Sequence, residues 1–302
     1  MIYVLCPKPD APSGGVWFLA RIVQLLNGLG IEARLVKMEP FSIYWDAHPI
    51  SESQVITPAS MLLGHTLVIP EVIWPTTLES KRKILFVQNQ TWMSKELELY
   101  RQHDQALVCS RYLANYLKRH YPVEVIGKIT PFLDPDVFNP TPKQKDRTLV
   151  IARRNPYHAK MRAALEEAGF PVTYVTSPLT QRQIAEKLAD CEFYVHLNHP
   201  EGWPMACAEA MRAGTIVVGT TGGGGNDFMY DGETASVVQD PENGHYGDKD
   251  EFIRRIMDKM LYLRTHDEVR SRIWTQAHNW VLRYTAQATS QDLLKVFGNV
   301  SS

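Results

Sequence analysis

Short apolar runs alternate along this chain with segments whose apolar residues recur at helical spacing. That is the pattern of parallel sheets covered by helices. Residues 2–6, IYVLC, read as a first strand. After a Pro/Ser/Gly stretch, VWFLARIVQLLNGLG puts Phe18, Ile22, Leu25 and Leu29 on one helical face. Gly28 or Gly30 ends that helix, and EARLVK resumes as a strand, completing a βαβ opening. Further strands are expected at 66–69, 84–87 and 106–109, with a helix over 112–120. The passage TPFLDPDVFNPTPKQKDR is rich in proline and charge and lacks periodicity, which predicts a linker over 131–147. The alternation then restarts: TLVIA, a helix over 158–168, VTYV, a helix over 181–189, EFYVHL, a helix over 204–213 and TIVVG. From Lys249 onward the chain is helical in pattern and charged.

The expected fold class is therefore α/β: two Rossmann-like domains, 1–130 and 148–284, facing a central cleft. Ligands of open parallel sheets bind beyond the carboxyl ends of the strands, so the loops after strands should carry the chemistry.

Composition narrows the classes. At 302 residues, with 44% hydrophobic and 22% charged residues, the chain can form two ordinary globular cores. Lys and Arg number 32 against 33 Asp and Glu, so no basic excess points to nucleic acid. No apolar run approaches the roughly 20 residues that span a bilayer. The start, MIYVLCPKPDAPSGG, lacks signal-peptide features. The expectation is a cytoplasmic protein with membrane contact at most peripheral. Cys6, Cys109, Cys191 and Cys207 are scattered without a C-x-x-C pair, as buried residues of a reducing compartment would be.

The most informative segment is HLNHPEGWPMACAEAMRAGTIVVGTTGGGGNDF. It leaves a strand, passes Glu201 and Gly202, and enters a helix at Pro204 and Met205, with proline expected at the first helical position. The free N–H groups of such a helix start favour an anion such as a diphosphate, and Gly202 lets backbone approach a ligand. Glu201 and Glu209 are acceptors when ionised, suited to a polyhydroxylated ligand. Each residue also has a plain reading. The glutamates fit a loop charge and a solvated helix face, Trp203 fits local packing as well as sugar stacking, and Gly222 to Gly225 need a permissive backbone in any case. Gly14 and Gly15 fit a tight turn into a helix or a ligand loop. His196-x-x-His199 lacks a ligand set beside it, so no metal is expected, and His199 is placed to reach a bound sugar.

This segment resembles glycosyltransferase family 4, retaining enzymes of the two-domain GT-B fold. Glu201 and Glu209 match the family's E-x7-E signature, EAMRAGTIVVGTTGGG its continuation, and DGETASVV its DGxTGxLV. PFLDPDVFNP resembles the hinge phrase that opens the second domain. VIARRNPYHAK resembles a stretch whose Arg and Lys bind the donor diphosphate, matching Arg153, with Arg154 adjacent, and Lys160. SGGVWFLARIVQLLNGLGIEARLV resembles the family's amino-terminal phrase, where Gly14 and Gly15 would face the reacting centre. In that fold the last helix, here 285–302, crosses back to the first domain. KILFVQNQTWM carries Gln88, Asn89 and Gln90 where many members have a histidine, and its FVQ form is similar to the rhamnosyltransferase branch.

The resemblance implies a retaining, metal-independent, hexosyltransferase-like enzyme without a cofactor. It would move a sugar from a nucleotide-diphosphate sugar to a glycan, lipid or protein acceptor. Glu201, Arg153 and Lys160 would be catalytic. Arg154, His199, Gly202, Trp203, Pro204, Met205, Glu209, Gly14 and Gly15 would bind donor. The alternatives are a nucleotide-sugar-binding protein without turnover, or an epimerase or phosphorylase on the same scaffold.

Overall fold

The apolar runs form two all-parallel sheets. The structure is a computed structural model that describes residues 1–37, 39, 41, 43, 63–73, 78–93, 97–152, 157–240 and 247–298. The chain divides into a unit made of Met1–Phe132 with Tyr284–Ser302, and a unit made of Leu133–Arg283.

The first unit holds β1 (Ile2–Cys6), β2 (Ala33–Lys37), β3 (Thr66–Pro70), β4 (Arg82–Val87), β5 (Gln105–Val108) and β6 (Val125–Lys128). Their order in the sheet is β2-β1-β3-β4-β5-β6. β1 and β3 are buried along their whole length, as expected for parallel strands covered on both faces.

Helix α1 (Gly14–Gly28) starts at Ser13, whose hydroxyl accepts the Val16 N–H. Gly30 follows the helix in the left-handed region at φ 76°, a conformation that costs glycine little. The helix buries more than one stripe. Residues Val16 to Val23 are all buried, Leu26 joins them, and Leu25 and Leu29 are only half-buried. The cause is a second cover. Phe18 packs on Phe86 of β4, and α8 (Ala286–Phe297), from the C-terminal stretch, packs on α1 and β6. The Thr289 hydroxyl of α8 donates to the Thr130 carbonyl at 2.8 Å. Helix α2 (Arg111–His120), capped by Ser110, follows β5.

The second unit alternates β7 (Gln144–Ile151), α3 (His158–Glu167), β8 (Val172–Val175), α4 (Gln181–Asp190) and β9 (Cys191–His196). It continues with α5 (Met205–Arg212), β10 (Ile216–Gly219), β11 (Ser236–Val237), α6 (Lys249–Thr265) and α7 (Asp267–Val281). The strand order is β11-β10-β9-β7-β8. One core joins Val150, Phe193, Val195, Ile216 and Val218 of the sheet to Phe252, Ile256 and Met260 of α6. The chain steps from β7 to β8 on one side and then to β9 on the other. The carboxyl ends of β7 and β9 therefore flank the topological switch point, where open α/β sheets bind ligands.

Candidate functional site

β9 ends in His196, buried, whose Nδ1–H donates to the Thr220 carbonyl at 2.9 Å. Burial pushes its pKa down to about 4, so the ring is neutral. The loop beyond is locked to the turn after β10. Glu201 N–H donates to Gly222 O at 2.7 Å, and Gly224 N–H donates to Glu201 O at 2.9 Å. Close approach explains two of the glycines. A Cβ on Gly224 would sit 1.9 Å from the Gly202 carbonyl oxygen, and one on Gly222 would sit 2.8 Å from the Glu201 Cβ.

Helix α5 begins at Met205, half-buried, so the structure corrects the expected place of Pro204. It is the cap residue, one position outside the helix, and its carbonyl accepts from Cys207 N at 3.0 Å. Pro204 supplies no side-chain hydrogen bond to cap this helix start. Trp203 is buried against Phe228, ring centroids 5.2 Å apart. Glu209 is 5% exposed, and burial lifts its pKa to about 8. The buried thiol of Cys207 is pushed well above its ordinary value, first by burial and then by Glu201, Glu209 and Asp240.

Two polar atoms at the end of β9 are buried without a hydrogen-bond partner among the described residues, Asn198 Oδ1 and His199 Nδ1. Burial lowers the His199 pKa, with Asp240 opposing. Asp240 lies beyond β11 and binds the turn that holds Glu201. Its Oδ1 accepts from Thr221 N at 2.7 Å and Gly222 N at 3.1 Å. Its Oδ2 accepts from Gly223 N at 3.0 Å and from the Thr221 hydroxyl. Sequence reasoning missed Asn198 and Asp240. Asn198 had a signal, a polar residue just past a buried strand at the switch point, whereas Asp240 had none.

Arg153 and Arg154 lie outside the described residues. Lys160, on the first turns of α3, is exposed and ion-paired with Asp250 at the start of α6. In the first unit, Gly14 and Gly15 open α1, and a Cβ on Gly15 would lie 3.3 Å from Gln88 Oε1. Asn89 N–H donates to Glu71 Oε1 at 2.7 Å, and burial lifts the Glu71 carboxyl to about 7. The structure therefore groups His199, Glu201, Gly202, Trp203, Pro204, Met205 and Glu209 in one unit, and Gly14, Gly15 and Gln88 in the other. Among the described residues no three or more His, Cys, Asp or Glu side chains could hold a metal ion. No helix among them is long and apolar enough to cross a membrane.

Residues 135–257, which contain this second-unit site, match the family of glycosyl transferases group 1. No curated protein matches the chain. Among solved structures it is similar to sucrose-phosphate synthase from Thermosynechococcus elongatus, with TM-score 0.71 and 12% identity over 99% of this chain and 98% of that one. It is equally similar in fold to the pneumococcal O-GlcNAc transferase GtfA in complex with UDP and GlcNAc, with TM-score 0.71 and 9% identity over the same shares. TarM aligns with TM-score 0.59 and 16% identity over 77% of this chain. The chain spans only 54% of TarM's length. At these identities the likeness shows the fold, the two-unit α/β architecture of GT-B glycosyltransferases.

Proposed function

We propose, from the glycosyl transferases group 1 segment at residues 135–257, that the chain moves a sugar from a nucleotide-diphosphate sugar to an acceptor hydroxyl. The anomeric configuration is retained, and neither metal nor cofactor is required. The bond from the anomeric carbon to the diphosphate breaks, its electron pair leaves with the diphosphate, and the acceptor oxygen bonds the same carbon as its proton passes to the departing diphosphate. One observation carries this reading: within that segment the Glu201 backbone is fixed from both sides while Glu209 is buried on the adjoining helix.

The start of α5 offers N–H groups to the diphosphate. Lys160, Arg153 and Arg154 supply the charge that stabilises it as it departs. Glu209 binds the ribose, and Glu201 orients the donor sugar beside Asn198 and His199.

Thermal shift with UDP-, GDP-, ADP- and dTDP-sugars in EDTA tests the reading, because a ligand of the folded state raises the melting temperature. A shift confined to one or two donors is expected. Glu209→Ala should weaken binding of that donor about ten- to hundredfold, the scale of lost hydrogen bonds to a charged or strongly polar partner. Lys160→Ala should chiefly lower kcat. No shift with any donor or free nucleoside diphosphate would sink the proposal.

A further inference from the structure

The β10–β11 ladder pairs Val218 with Ser236 and Gly219 with Val237, and Val238 N–H continues it to Gly219 O at 3.0 Å. Two residues on, Asp240 comes level with the turn that starts at Thr221. That turn bends sharply, with Gly222 and Gly223 at φ 66° and 86°, and its three successive N–H groups converge on one point. Successive amides turned this way form an anion-binding nest, and here the anion is the Asp240 carboxylate. It accepts all three N–H groups and the Thr221 hydroxyl. Hydrogen bonds to a charged acceptor are stronger than neutral ones.

On its far side the same turn makes both backbone bonds to Glu201, through Gly222 O and Gly224 N. We propose that Asp240 is a positioning residue that sets Glu201 for the donor sugar by gripping the glycine turn between them. The inference deepens the transferase reading and rests on it for the role of Glu201. Asparagine at 240 offers one carbonyl oxygen where the carboxylate offers two, and it turns an N–H2 donor toward amides that are themselves donors. The turn would lose at least one of its amide anchors, and Glu201 would drift.

Amide hydrogen exchange and turnover of wild type and Asp240→Asn test this together. Exchange at Glu201 and Gly224 should quicken by about tenfold or more while β9 and β10 keep their protection. Against the donor panel above, kcat should fall about ten- to hundredfold, the penalty for misplacing a group near the reacting atoms. The Kd for free UDP or GDP should stay within about twofold, since it rests on other groups. Unchanged exchange, a wild-type kcat, or a loss of nucleoside-diphosphate affinity equal to the loss of kcat would each overturn the proposal. A wild type that binds and consumes no donor would instead defeat the transferase reading, and the exchange data would still decide whether Asp240 holds Glu201. Thr221→Val removes the hydroxyl's bond to Asp240 and its acceptance of Gly223 N at 3.1 Å, and keeps the bonds of the three amides to Asp240. It should show the same changes at smaller size, and it carries the test if Asp240→Asn does not fold.

Discussion

Glu209 ties local packing to a measurable pH dependence. Its carboxyl is raised from an ordinary value of 4.5 to about 8 by burial. Between those values the folded chain holds a proton that the unfolded chain has released, so stability falls as pH rises across this window and levels off above it. Glu209→Gln should flatten that slope in melting curves from pH 5 to 8.5. Ribose hydroxyls donating to the carboxylate would favour its charged form. Donor binding at pH 7 should therefore release a proton, visible as a buffer-dependent binding enthalpy in calorimetry and absent in Glu209→Gln. At Gly224 the expected effect is on folding. A methyl there meets the Gly202 carbonyl, which cannot rotate away, so Gly224→Ala should cost about 3 kcal/mol, at the upper end for overpacking. The Glu201–Glu209 spacing was legible because both partners lie in one short segment of sequence. Asp240 was not legible: it bonds backbone amides across a sheet edge, and amides leave no trace in residue identity.

Elements were legible where burial followed a simple period, and the fully apolar runs of β1, β3 and β10 are strands. The face of α1 was harder to read. Phe18, Ile22, Leu25 and Leu29 form a single stripe, but a helix covered by both a sheet and α8 buries most of its circumference, and the second cover lies some 260 residues along the chain. Pro204 differs for another reason. Its fixed φ suits both the cap and the first helical position, and the structure places it at the cap. The contact of α8 with β6 invites a direct test. A Cβ on Gly127 would lie 2.7 Å from Val296 Cγ2, a β-branched side chain with little freedom to turn. Gly127→Ala should lower stability by about 1–2 kcal/mol, and adding Val296→Ala should recover part of that loss, as a double-mutant cycle by denaturant melting would show.

For the whole molecule, the divided first unit predicts an asymmetric response to truncation. A chain ending at Arg283 keeps the whole second unit but lacks α8. Its β7-to-α7 segment should keep its exchange protection, while α1 and β6 lose theirs, exposing the apolar residues that α8 covers. Equal loss in both units would contradict this. The same division has a consequence for synthesis. Domains generally complete in order from the amino terminus as the chain emerges, but here the first unit lacks its last helix until residue 297 is made. The inserted second unit is complete in sequence at Arg283, before α8 begins. During synthesis the second unit should therefore be able to complete before the first, whose earlier-made part waits on α8 and stays open to chaperones in the interval.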